Sequence, residues 1–185
     1  MVDAYSGYRM YRFLGLFVLV TCLLVAGCAS REQGEREPLL GFITNGIASF
    51  WVIADKGARD AAEEYGVEVE VMMPPDGTAS DQRRMVQDLL VRGVDGIAIT
   101  PIDPSNQSGL LSEIAQNTHL ITHDSDAPES ERLVYIGMDN YVAGRMCGAL
   151  LKEAMPEGGT VVLFVGRVGQ LNADLRRQGV IDELM

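Results

Sequence analysis

The chain has 185 residues, room for one domain of ordinary size with part of a second. Hydrophobic residues make up 47% and charged residues 22%, the usual globular mix, which fits neither wholesale disorder nor a polytopic membrane protein. Fifteen Lys and Arg against 26 Asp and Glu leave a net charge of −11 with no basic stripe, which argues against a nucleic-acid groove and suits neutral or cationic small molecules.

Arg9 and Arg12 precede an uncharged apolar run from Phe13 to Ala26 (FLGLFVLVTCLLVA), followed by Gly27 and Cys28. At ~1.5 Å per residue this run covers about 20 Å of helix, short of the ~30 Å hydrocarbon core, so it reads as a signal-peptide segment and not a membrane span. Val25-Ala26-Gly27-Cys28 resembles the bacterial lipobox, and the Cys28 thiol is expected to carry diacylglycerol that holds the chain at a membrane surface. Residues 1–28 are thus expected to be a lipoprotein signal peptide, starting at Met1 or Met10, and residues 29–38 (ASREQGEREP) a flexible tether. With Cys28 acylated, Cys147 has no disulfide partner and is expected on the inner face of a helix.

From Leu39 the pattern alternates. LLGFIT (39–44) is a short apolar strand, Phe50–Tyr65 has helical spacing, and VEVEVMM (67–73) alternates at period two. Ser80–Val91 reads as helix, Gly96–Thr100 (GIAIT) as strand, Ser105–Asn117 as helix and Leu120–His123 (LITH) as strand. Ser80 is expected to cap its helix, Gly66 and Gly93 to close theirs, and Pro156 to stop a later one. Short strands separated by helices predict an α/β fold, a three-layer doubly wound parallel sheet. A polar loop (SDAPESER) then leads to LVYI (133–136) with no helix between, which sets a boundary near Gly137. Beyond it a helix over 140–155, a strand over 160–165 (TVVLFV) and a helix over 172–184 are expected. Residues 39–137 make one lobe and 138–185 the start of a second.

In an open parallel sheet, ligands bind beyond the carboxyl ends of the strands. The loops there read TNGIASFW (44–51), MPPDG (73–77), TPIDPS (100–105), HDSDA (123–127) and GRVGQLN (166–172). Phe50 and Trp51 offer an aromatic face for the C–H side of a sugar ring, one of the two facing inward and the other the cleft. Asp124 and Asp126, around Ser125, offer acceptors for paired hydroxyls, while Asn45-Gly46 reads as a turn pair. Asp103, between prolines, reads as a turn residue. His119 and His123 lack the spacing of a four-coordinate metal site, so no metal or other cofactor is expected. No GxSxG elbow, GxxxxGK loop, HExxH or early GxGxxG is present, which leaves catalysis without a motif.

In this order and spacing, GFITNGIASFWVIADKGARDAAEEYG, VQDLLVRGVDGIAITPIDP, LITHDSDAP and YIGMDNYVAGRMCGALL resemble the amino-terminal half of the type 1 periplasmic binding proteins for sugars, the ribose-binding-like receptors of ABC transporters. The resemblance implies a non-enzymatic protein that closes two hinged lobes on a monosaccharide and delivers it to permease subunits. It carries sugar stacking onto Phe50 and Trp51, and hydroxyl binding onto Asp124, with Ser125 where the family has arginine. The family's asparagine before the aromatics falls on Ala48, which leaves Asn45 and Ser49 as the nearby polar candidates for ligand binding, and its second-lobe arginine falls on Asp174, with Arg176 two residues on. Family members continue for another hundred-odd residues. A receptor that signals to a kinase or chemoreceptor shares the same cleft, and a small α/β enzyme using Asp124 or His123 as general base is the remaining alternative.

Overall fold

The computed structural model describes residues 36–185; the leader, Cys28 and the tether up to residue 35 lie outside the described residues. Five strands, β1 (Leu39–Ile43), β2 (Glu68–Met72), β3 (Gly96–Ile99), β4 (His119–His123) and β5 (Val134–Ile136), form one sheet in the order β2-β1-β3-β4-β5. Every pairing is parallel. Helices α1 (Ser49–Tyr65), α2 (Ala79–Val91) and α3 (Ser108–Asn117) make the crossovers, and α4 (Asn140–Ala154) and α5 (Leu171–Leu184) follow the sheet. Among the described residues no helix is long and apolar enough to cross a membrane.

The step from β1 to β2 runs one way along the sheet, and the steps from β2 to β3 and β3 to β4 run the other. Right-handed crossovers therefore put α1 on one face and α2 with α3 on the opposite one, the doubly wound α/β arrangement. The core forms where Leu39, Ile43, Ile97, Ile99 and Leu120 of the sheet meet Val86 and Leu89 of α2 and Leu110, Leu111 and Ile114 of α3. Each such side chain contributes ~1.5–3 kcal/mol on burial. Gly41 lets α2 sit down on β1, since a Cβ there would lie 2.4 Å from Leu89 Cδ1. The α1 face is more open: Leu40, Phe42, Val69 and Ile121 line an apolar groove of about 450 Å³ beside Ala58, Ala61 and Tyr65 of α1.

Local signals end most elements where expected. Gly66 closes α1 at φ 65° and donates to the Ala62 carbonyl, and Gly93 follows α2 at φ 73°. The cap of α2 is Thr78 and not Ser80: Thr78 Oγ1 accepts from Asp81 N–H at 3.1 Å while Asp81 accepts from Thr78 N–H at 3.3 Å, a reciprocal pair that Ser80, already inside the helix, could not make. Helix α3 begins at Ser108 and not Ser105, because Asp103 organises a turn, accepting from Asn106 N–H and Nδ2–H.

Two further expectations fail. Residues 160–165 form no strand, since no described strand lies beside them to complete the hydrogen bonds that a strand needs. Cys147 is exposed, because the inner face of α4 is made by glycines. A Cβ on Gly144 would lie 2.2 Å from the Arg176 carbonyl oxygen, and one on Gly179 the same distance from that of Tyr141. Helices α4 and α5 therefore pack backbone to backbone, tied at the edge by Arg145 to Glu183 at 2.7 Å and Tyr141 to Asp182 at 3.0 Å.

Candidate ligand-binding crevice

Strand order reverses between β1 and β3, so the chain leaves their carboxyl ends in opposite directions and opens a crevice there. Gln82, fully buried on α2, sets its floor. Its Nε2–H group donates to the carbonyl oxygens of Thr44 at 2.9 Å and Thr100 at 2.7 Å, the residues that directly follow β1 and β3. Its Oε1 accepts from Ile102 N–H at 3.3 Å and from Gln107 Nε2–H at 2.8 Å. One side chain thus satisfies the backbone where the two loops part.

Above this floor lies an aromatic cluster. His123, at the end of β4, stacks on Phe42 of β1 with ring centroids 4.2 Å apart, and Trp51 stands edge-on to His123 at 5.6 Å. The Trp51 indole N–H donates to Asn45 Oδ1 at 2.8 Å, which ties the start of α1 back to the end of β1. Burial holds the His123 imidazole neutral, its pKa pushed down to about 4, and Thr100 Oγ1 lies 3.0 Å from its Nδ1.

The next residue, Asp124, is the single described non-glycine with left-handed backbone, at φ 60°. Its N–H donates to the Ile136 carbonyl at 3.1 Å and its own carbonyl accepts from the Tyr135 hydroxyl at 2.9 Å, so β5 holds the turn in place. Burial raises its carboxyl pKa, opposed by the charge of Arg176. Oδ2 accepts from Asn172 Nδ2–H at 3.1 Å, across 48 residues of chain. Ser125 Oγ, next in sequence to Asp124, the other amide atom of Asn172, Oδ1, and Gln170 Nε2 are buried with no hydrogen-bond partner among the described residues.

The expected residues divide. Trp51 faces inward, at 5% exposure, and Phe50 outward, at 59%, so Phe50 carries the open ring and Trp51 supports it at 4.8 Å. Asn45, Trp51, Asp124 and Ser125 gather on one rim through His123. Ser49 is exposed at the first position of α1, and its hydroxyl makes no hydrogen bond among the described residues. Asp126, expected as a second ligand acceptor, is instead committed within its own loop. Arg132 Nη2–H donates to it at 2.7 Å, and Thr122 Oγ1–H and Ala127 N–H at the same distance, which holds its carboxyl below the usual range despite partial burial. Asp174 lies on the wall of a separate pocket with Ser108 and Glu129. Gln170 and Asn172 were not expected individually, although their loop was; an uncharged amide at a helix start has the same signature as a cap. Gln82 carries no signal at all in sequence.

Residues 40–185 match the family described as periplasmic binding protein domain, and the chain belongs to that family. It is 26% identical to the ribose import binding protein of Escherichia coli over 165 residues, 89% of this chain and 55% of that one. It is 25% identical to the D-allose-binding periplasmic protein of the same organism, over 94% of this chain and 58% of that one. Among solved structures, an ABC transporter solute binding protein from Burkholderia graminis, in complex with D-arabinose, superposes with a TM-score of 0.77 at 30% identity, over 80% of this chain and 51% of that one. A glucose-galactose binding protein from Geobacillus stearothermophilus gives 0.76 at 28%, over 81% and 54%. The chain thus spans about half the length of the relatives it matches.

Proposed function

We propose that this chain carries the sugar-binding lobe, residues 39–137, and the opening of the second lobe, residues 138–185, of the substrate-binding component of an ABC importer. Its ligand is a monosaccharide. One observation carries the reading: at the switch point of the sheet, an aromatic pair (Phe50, Trp51) and a half-buried carboxylate (Asp124) sit on one rim beside unpartnered buried polar atoms of Ser125, Gln170 and Asn172. A sugar offers an apolar C–H face for the ring and hydroxyls for the carboxylate and amides, and needs no charge of its own.

Binding then inserts the sugar hydroxyls between Asp124 and Asn172, which contact each other directly across the crevice, and no covalent bond is made or broken. Permease subunits are the partners, and no metal or cofactor takes part. The apolar run and the Cys28 motif support a periplasmic or outer-face location with a lipid anchor, which acyl labelling of the chain and its Cys28→Ser variant tests; equal labelling of the two contradicts it.

Isothermal titration against ribose, allose, arabinose, glucose and galactose tests the binding reading. If the rest of the second lobe contributes two or three charge-assisted hydrogen bonds at ~1.5–3 kcal/mol each, this chain binds roughly a thousandfold or more weaker than a two-lobed relative, in the millimolar range. Saturable heat with one or more of these sugars, weakened ten- to a hundredfold (order of magnitude) by Asp124→Ala, supports the assignment. No heat with any of them contradicts it.

A further inference from the structure

The chain leaves β5 at Ile136 and enters α4 at Asn140, so Gly137, Met138 and Asp139 carry it from the proposed first lobe into the second. The Tyr135 ring folds back over this crossing. A Cβ on Gly137 would lie 2.2 Å from the Tyr135 oxygen and 2.3 Å from its Cζ, so only a glycine leaves the ring its seat. From there the hydroxyl reaches two carbonyls, that of Asp124 at 2.9 Å in the turn after β4 and that of Met138 at 3.2 Å in the crossing. A phenol has one proton to donate, so the two acceptors compete for it.

Asn140, buried at the start of α4, biases that competition. Its Nδ2–H group donates to the Tyr135 oxygen at 3.3 Å and to the Met138 carbonyl at 3.2 Å. The first bond polarises the phenol toward donating, and the second occupies the carbonyl that would draw its proton away, so both favour the bond to Asp124. That bond matters because Asp124 holds φ 60°, a conformation that a residue with a side chain keeps only when its surroundings enforce it. Both backbone bonds that enforce it come from β5: the Tyr135 hydroxyl onto the Asp124 carbonyl, and the Asp124 N–H onto the Ile136 carbonyl at 3.1 Å.

We propose that Tyr135 is a positioning residue that couples the lobe crossing to the sugar-binding turn. With the crossing as it stands, the hydroxyl holds the Asp124 carbonyl and the carboxylate is presented to the ligand. A rotation at residues 137–139 that draws Asn140 off Met138 bares that carbonyl, the hydroxyl turns to it, and the Asp124 turn loosens. A sugar held by Asp124 therefore favours one setting of the crossing, and by linkage that setting raises the affinity for sugar. The coupling rests on the lobe division and the sugar site proposed above.

Hydrogen exchange at single amides of the full chain, without sugar, tests it at the Asp124 N–H. Tyr135→Phe keeps the ring and removes the hydroxyl, and exchange at Asp124 should rise about three- to tenfold, the worth of one neutral hydrogen bond, while the amides of β1 and β3 stay as they are. Gly137→Ala pushes the hydroxyl off its seat and should give the same local rise. Asn140 hydrogen-bonds no described residue of the turn, yet Asn140→Ala should also speed exchange at Asp124, and should add nothing once Tyr135 is replaced by phenylalanine. Unchanged exchange in Tyr135→Phe overturns the proposal, as does an Asn140→Ala effect that is absent or that adds in full to that of Tyr135→Phe. Sugar titration is the separate arm: both variants should bind more weakly by a similar factor, and binding equal to that of the unsubstituted chain overturns the coupling to ligand. A chain that binds none of the sugars contradicts the sugar site alone, since exchange at Asp124 is read without sugar.

Discussion

Gln82→Leu is the substitution with the most legible consequence. Leucine keeps most of the volume but removes both ends of the amide, orphaning the carbonyls of Thr44 and Thr100, the N–H of Ile102 and the Nε2 of Gln107. A neutral buried hydrogen bond is worth ~0.5–1.5 kcal/mol net, so four give about 2–6 kcal/mol, from which the easier burial of leucine takes back ~1–2. The difference spans about 0–5 kcal/mol, and its centre, about 2.5 kcal/mol, is the loss expected. Urea unfolding followed by circular dichroism should move its midpoint down by roughly 1–2 M with an unchanged slope, taking a slope of ~1–3 kcal/mol/M. The two loops should also lose their mutual register, so that sugar binding weakens even where the variant is folded. A variant as stable as the unsubstituted chain or more so, with sugar binding unchanged, would show that the loops close without Gln82 and would refute the reasoning.

Three further outcomes are expected. His123 is neutral when folded, with a pKa of about 4 against 6.5 in the unfolded chain, so its contribution is complete above pH 6.5 and is lost as pH falls toward 4, a change of roughly 3 kcal/mol. His123→Phe should flatten that window in urea midpoints measured from pH 4 to 7.5, and an unaltered slope would contradict the burial argument. Asp124 has a raised carboxyl pKa and strained backbone, so it costs stability as pH rises through its folded value. Asp124→Asn should therefore raise the urea midpoint at pH 7 while weakening sugar binding, whereas joint loss of both would make Asp124 a structural residue. Gly144→Val sets a side chain against the Arg176 carbonyl and should cost about 1–3 kcal/mol or more; no change in midpoint would show that α4 and α5 do not pack as described.

The alternation of strand and helix up to β5 was legible because each element carries its own period and its own punctuation: VEVEV alternates, and Gly66 and Gly93 take the left-handed turns their helices end on. TVVLFV shows the limit of that reading. Composition makes a segment able to pair, but pairing belongs to the neighbour, and none of the described strands lies alongside. The crevice was legible at the level of loops, since the switch point follows from topology, and much less so at the level of atoms. Asp124 and Asp126 are near-identical in sequence context, and what separates them is Arg132, six residues on, whose fork claims the second and leaves the first to Asn172. Cys147 points outward because Gly144 and Gly148 take the close approach to α5, a three-dimensional fact with no trace in hydropathy.

Trp51 is the one tryptophan of the chain, and its indole lies 5.6 Å from the ring of His123, the neighbour of Asp124. Its fluorescence therefore reports directly on the crevice. Titration with ribose, allose and arabinose should change the emission saturably in the unsubstituted chain and leave it flat in Asp124→Ala. An emission that ignores every sugar, or responds identically in both proteins, would contradict a site built from the β1 and β4 rims.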